Sequence, residues 1–213
     1  MADALAVEPS LAFDAIAAAL NDGRCAVVAD ALPVPAVVAL AADLRRRDAA
    51  RALRSAGVGR AGARHVDDAV RGDRIAWIED DDPAPALVPL RTLVASLRQT
   101  LNRSCWLGLV DAEIHYAIYP EGAHYARHRD RFAGDDGRVV SFVLYLNADW
   151  RAADGGALRC HPAGGVPFEV LPRAGTLVTF LSAELEHEVL PARRDRLAVS
   201  GWLRRRAIAA SRP

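Results

Sequence analysis

Glu113-Ile114-His115-Tyr116-Ala117-Ile118-Tyr119 is the stretch on which the fold turns, because Ile114, Tyr116 and Ile118 alternate with Glu113, His115, Ala117 and Tyr119. A period of two marks a strand with two unlike faces, and Pro120 and Gly122 end it. Downstream, Val139 to Leu146, Ala157 to Cys160, Phe168 to Leu171, Thr176 to Leu181 and Leu197 to Leu203 read as further short strands between Gly-, Pro- and Asp-rich turns. Many short strands at close spacing predict a sandwich or jelly-roll barrel.

Upstream the period changes. Phe13, Ile16 and Leu20 recur at helical spacing, with Ser10 as a candidate N-cap and Gly23 past the end; Val37, Leu40 and Leu44 mark a second helix running into Arg45-Arg46-Arg47, read as its solvated face. Leu90, Val94, Leu97 and Leu101 give a third. Brief strands are expected at Cys25 to Ala29 and at Arg71-Gly72-Asp73-Arg74-Ile75-Ala76-Trp77-Ile78. The expectation is one α+β domain over residues 1–213, with residues 1–103 mostly helical and 104–206 the β core.

Composition narrows the function classes. Twenty-seven basic residues, all arginine, balance twenty-seven acidic ones over 213 residues. Neither nucleic acid nor a membrane surface is then an expected partner. Cys25, Cys105 and Cys160 are too few and too scattered for a secreted disulfide scaffold, and no signal peptide or membrane-length apolar run is apparent. A reducing cytoplasm is the expected compartment.

The chemistry-bearing group is His128-Arg129-Asp130, with His187 far along the chain. In extended backbone, residues two apart share a face, so the His128 imidazole and the Asp130 carboxylate can converge on one ion and His187 can complete the set. Two imidazoles and one carboxylate leave three adjacent positions open, the arrangement of non-haem Fe(II) oxygenases. Arg196 opens a strand on which Ala198, Ser200 and Trp202 share its face; an inward guanidinium asks for a carboxylate, and a dicarboxylate cosubstrate fits. Tyr145, inward with Ser141 and Val143, offers a second donor. A competing zinc hydrolase would use His124 and His128 on a helix, but Pro120 and Gly122 oppose a helix and no glutamate base lies between the two histidines.

The ordered set of Tyr119-Pro120-Glu121-Gly122, Tyr125, His128-Arg129-Asp130, Tyr145 to Trp150, Gly155-Gly156-Ala157-Leu158-Arg159, His187-Glu188-Val189 and Arg196 resembles the 2-oxoglutarate- and Fe(II)-dependent prolyl hydroxylases. Within them it is most similar to the oxygen-sensing, hypoxia-inducible-factor type and its bacterial relatives, over roughly residues 65 to 203. The resemblance implies a double-stranded β-helix, a distorted jelly roll with the N-terminal helices packed outside, and a substrate-loop segment near 57–80. It assigns iron to His128, Asp130 and His187, and the distal carboxylate of 2-oxoglutarate to Arg196 and Tyr145. Tyr119 falls beside the cosubstrate, Leu158, Val189 and Trp202 on the pocket wall, and Arg71, Asp73 and Arg138 at the substrate loop or entrance. It also implies dioxygen as cosubstrate and ascorbate as reductant. Decarboxylation to succinate would be coupled to 4-hydroxylation of an accessible prolyl residue in a protein, such as a translation factor or ribosomal protein. The alternatives are the same chemistry on a free amino acid or other small molecule, and a non-catalytic binding barrel. Two departures stand out: His115 replaces an apolar residue on the Tyr119 face, and the Asp130 to Arg138 loop is a residue longer.

Overall fold

The computed structural model describes residues 9–57, 67, 69–131 and 137–206. The segment Val58 to Gly62 and most of the Asp130 to Arg138 loop lie outside those residues.

Three helices come first: α1 (Pro9–Asn21), α2 (Val34–Ala49) and α3 (Leu87–Cys105). Pro9 is already helical, which places Ser10 inside the helix rather than at its cap; proline is favoured in a first turn because its missing N–H would be unsatisfied there anyway. Pro33 and Pro35 start α2 in the same way. The apolar stripe of α3, Leu87, Leu90, Val94, Leu97 and Leu101, is buried. Each such side chain contributes ~1.5–3 kcal/mol over its exposed state.

Eleven strands are described: β1 (Ala26–Val28), β2 (Arg54–Ser55), β3 (Arg74–Trp77), β4 (Leu109–Tyr119), β5 (Tyr125–His128), β6 (Arg138–Tyr145), β7 (Leu158–His161), β8 (Phe168–Val170), β9 (Leu177–Leu181), β10 (Glu186–Val189) and β11 (Arg196–Arg205). They form a seven-stranded sheet in the order β1-β9-β6-β11-β4-β3-β2 and a four-stranded sheet in the order β5-β10-β7-β8. This is the jelly-roll core with helices outside. The first hundred residues are more than a helical cover, since β1, β2 and β3 extend the larger sheet at both edges. Strand β4 begins at Leu109, four residues before the alternating stretch becomes legible.

The larger sheet divides two cores. Tyr116, Ile118, Val140, Phe142, Leu144, Leu197, Val199 and Leu203 pack with the helices. Ala117, Tyr119, Tyr145 and Ala198 pack with Leu158, Cys160 and Val189 of the smaller sheet. Of the arginine run, Arg45 and Arg46 are exposed, but Arg47 is not part of a solvated face. Its Nε donates to buried Asp43 at 3.0 Å and its Nη2 reaches Asp82 at 2.8 Å. Arg194 lies 4.4 Å from the Trp150 ring centroid and donates to Asp154, and Arg204 donates to Asp111 and Glu113. Cys25 and Cys160, remote in sequence, meet as free thiols whose hydrogen bond, with burial, pushes Cys25 up.

Candidate active site

Strands β5 and β10 are antiparallel neighbours in which His128 and His187 stand directly opposite each other. Their ring centroids are 4.3 Å apart. Asp130, just past the end of β5, brings Oδ1 to 3.4 Å from His128 Nε2 and 3.8 Å from His187 Nε2. The candidate ligand atoms of the three residues all lie within 4.8 Å of one another. Nδ1 of His128 is 2.7 Å from the Ala126 carbonyl and Nδ1 of His187 3.2 Å from the Leu185 carbonyl. With each Nδ1–H donating to a carbonyl, both Nε2 lone pairs are left for an ion.

Aromatic rings hold these imidazoles: Tyr125 stacks on His128 at 3.6 Å, and Phe180 tilts against His187 at 4.6 Å. Burial alone would raise the Asp130 carboxyl, but His187, His128 and a hydrogen bond from Ser141 hold it well below the usual carboxylate range. Burial pushes His187 down. Two facing imidazoles, that of His187 kept neutral by burial, beside an ionised carboxylate are a donor set for a divalent transition metal. No cysteine joins the cluster, so the four-ligand thiolate set of a structural zinc site is not built here. His124, the other histidine of the hydrolase alternative, lies outside a helix and contacts the Ala69 carbonyl instead.

Across the cleft, Arg196 is the first residue of β11, paired with Tyr119 of β4, and is 2% exposed. Its Nε donates to the Gly156 carbonyl at 2.9 Å. Its guanidinium lies 5.1 Å from the Tyr119 ring centroid and 4.9 Å from that of Tyr145. Among the described residues no carboxylate pairs with it. The Tyr145 hydroxyl is buried without a hydrogen-bond partner. Burial pushes Tyr145 up to about 12, with Arg196 pulling the other way, and burial raises Tyr119 as well, so both phenols are neutral donors. A buried guanidinium without a counter-ion, beside an unmet phenol, fits a carboxylate ligand.

Local sequence explains how Arg196 is held. Gly155 and Gly156 have φ of 69° and 68°, and a Cβ on Gly156 would come within 2.8 Å of Ala192 and 3.4 Å of the Arg196 Cδ. Only glycine allows this turn to reach the arginine. Asn147 clamps the next residue: its amide donates to the Leu197 carbonyl at 2.9 Å and accepts from the Leu197 N–H at 2.7 Å. Sequence reasoning missed that clamp, because an asparagine after a strand looks like any turn residue.

Of the other residues singled out from sequence, Tyr119, Leu158, Val189, Trp202 and Arg71 line this cleft. Asp73 is buried behind Arg71, both of its oxygens accepting from that guanidinium. Arg71 in turn lies 4.7 Å from the Tyr125 ring centroid. Arg138 is not among the lining residues; it donates to Glu113 and sits 3.6 Å from the Trp202 ring centroid. His115 does line the cleft, fully buried between Trp77 and Trp202.

Residues 114–204 match the family model described as the 2OG-Fe(II) oxygenase superfamily. The crystal structure of a Pseudomonas putida prolyl-4-hydroxylase is 46% identical, with a TM-score of 0.84 over 91% of this chain and 99% of that one. A Trichoplax adhaerens prolyl hydroxylase in complex with a hypoxia-inducible-factor oxygen-degradation-domain peptide is 26% identical, with a TM-score of 0.82 over 92% of this chain and 90% of that one. Egl nine homolog 1 of Rattus norvegicus is 38% identical over 143 residues, which take in 62% of this chain and 41% of that protein. The chain thus spans less than half the length of this curated relative.

Proposed function

The chain belongs to the 2-oxoglutarate- and Fe(II)-dependent oxygenase superfamily, and from that premise we propose that it is a prolyl 4-hydroxylase acting on a prolyl residue of a protein. The observation that carries this reading is that two half-sites line one cleft, His128, Asp130 and His187 on one side and Arg196 on the other, the latter backed by the Tyr145 ring with its buried, unmet hydroxyl.

His128, Asp130 and His187 would hold Fe(II). Arg196 would take the distal carboxylate of 2-oxoglutarate in a charge-assisted pair, with the Tyr145 O–H as second donor. When bound, Fe(II) and 2-oxoglutarate would supply the activation of dioxygen and the insertion of one oxygen atom into a C–H bond, with 2-oxoglutarate leaving as succinate and carbon dioxide. The chain's own residues orient and exclude water. Leu158, Val189 and Trp202 wall the cosubstrate, Tyr119 lies against Arg196, and Asp73 fixes Arg71 at the cleft beside Tyr125. The prolyl acceptor is supported by the likeness to two prolyl hydroxylase structures, one of them holding a protein-derived peptide. A component of the translation apparatus, in the reducing cytoplasm, is the candidate acceptor.

The test is to purify the protein without oxygen, add Fe(II), 2-oxoglutarate and lysate, admit air, and search by mass spectrometry for protein residues that gain one oxygen. The expected result is a hydroxylated proline with succinate formed in step. Succinate without any prolyl product moves the acceptor to a small molecule, and no consumption of 2-oxoglutarate overturns the assignment.

A further inference from the structure

Two of the three candidate ligands owe their places to a strand ladder, and the third does not. His128 and His187 are set by the pairing of β5 with β10, whereas Asp130 lies past the end of β5 and has no strand partner. Two serines from the larger sheet close around it instead. Ser141 is on β6, between Trp202 of β11 and Phe180 of β9, and Ser182 directly follows β9. They are 1% and 0% exposed, and their hydroxyl oxygens are 2.9 Å apart. The Ser141 hydroxyl bonds the Asp130 carboxylate. The Ser182 backbone takes the following residue: its carbonyl accepts the Arg131 N–H at 3.2 Å, while its own N–H donates to the Val139 carbonyl of β6 at 2.9 Å. Residues 130 and 131 are thus tied, by side chain and by backbone, to the facing ends of β6 and β9.

Counting hydrogens gives the direction of this chain of bonds. A carboxylate can only accept, and a serine hydroxyl carries one hydrogen. Ser141 gives its hydrogen to Asp130, so in the 2.9 Å contact Ser182 donates to Ser141. Bonds in series polarise one another, and one that ends on an ion is stronger than a neutral pair. A carboxylate held this way before an ion arrives loses less freedom on binding it.

We propose that Ser141 and Ser182 are positioning residues that turn the Asp130 carboxylate toward the metal, Ser141 by direct donation and Ser182 through Ser141. The inference rests on the reading that His128, Asp130 and His187 hold the ion.

The test titrates the metal-free protein under nitrogen with Co(II), which has the charge of Fe(II) and takes the same donors. Binding is followed by calorimetry and by the visible ligand-field bands of the ion. His187→Ala sets the background for ions held elsewhere. Ser141→Ala is expected to weaken Co(II) binding by about 10–100-fold, and Ser182→Ala by about threefold to tenfold. Because Ser182 acts through Ser141, the double variant should bind no more weakly than Ser141→Ala alone. Ser141→Thr keeps the hydroxyl on a side chain that suits a strand, and it should restore affinity to within about threefold. A melt of each metal-free variant reports the fold. A merely structural role lowers that melt and leaves the Co(II) affinity of the folded protein unchanged, which overturns the proposal. Additive losses in the double variant, an unchanged affinity in Ser182→Ala, or a natively folded Ser141→Thr that does not recover binding overturn it as well. Native protein that binds no more Co(II) than His187→Ala brings down the metal-site reading itself, and the positioning role with it.

Discussion

Tyr116 and Tyr145 flank the same strand, β11, paired with Val199 and Ala198 respectively, and they face opposite sides of the larger sheet. Both are fully buried. The Tyr116 hydroxyl donates to Asp43 at 2.9 Å, and Asp43 in turn accepts from Arg46 and Arg47. The Tyr145 hydroxyl donates to nothing, although Arg196 lies against its ring. The Tyr116 hydroxyl is met inside the protein, as a residue that holds the fold requires; the Tyr145 hydroxyl is left unmet beside a buried cation, as a binding site requires. The difference separates a polar residue that holds the fold from one kept for a ligand.

The comparison breaks most severely at the metal cluster. His128→Ala, Asp130→Ala and His187→Ala are each expected to lower 2-oxoglutarate turnover by about a thousandfold or more, several kcal/mol of lost transition-state stabilisation, while the far-ultraviolet spectrum stays native. Next comes Arg196→Met, which removes the unpaired cation at similar volume. Cosubstrate affinity should fall by about a hundredfold, read by anaerobic titration, with little or no loss of melting temperature. An equally large loss of stability would show that Arg196 is a structural residue like Arg47.

The tyrosines themselves sharpen the contrast. Tyr116→Phe leaves the buried Asp43 short of a donor and should cost about 1–3 kcal/mol of unfolding free energy by urea titration. Tyr145→Phe should cost almost nothing in that assay and should raise the 2-oxoglutarate dissociation constant by roughly tenfold. The last test concerns acid. The folded His115 imidazole resists a proton down to about pH 3, while the unfolded chain takes one near pH 6.5. Between those values the unfolded state binds more protons, so stability is full above about 6.5 and declines as pH falls toward 3, on the order of a kcal/mol per unit. His115→Met should flatten that part of the urea-midpoint profile.

How much of this could be read from residues alone depended on distance along the chain. The jelly roll was legible because alternation in β4 and β6 is local, and His128 with Asp130 because residues two apart in extended chain share a face. His187 as a third ligand and Arg196 as an inward guanidinium could be picked out from the residues, but that they share one site rested on the ordered resemblance, since nothing in a local window says that β10 returns beside β5. Burial of Asp43 was invisible: a lone acid before three arginines looks like a solvated surface, and only the distant Tyr116 hydroxyl shows otherwise. The unmet Nδ1 of His115 is equally a tertiary fact, because it takes β3, β4 and β11 together to cover that ring.

The direct opposition of His128 and His187 carries a consequence for how the chain tolerates length changes. A slip of one residue between β5 and β10 would turn one imidazole to the outer surface of the smaller sheet, so a single inserted or deleted residue within either strand should erase the metal centre as completely as removing a ligand. Past Asp130 on one side and before Glu186 on the other no such penalty applies. Evolution is therefore free to lengthen or trim the neighbouring connection and explore new acceptors while the oxidising machinery stays in frame.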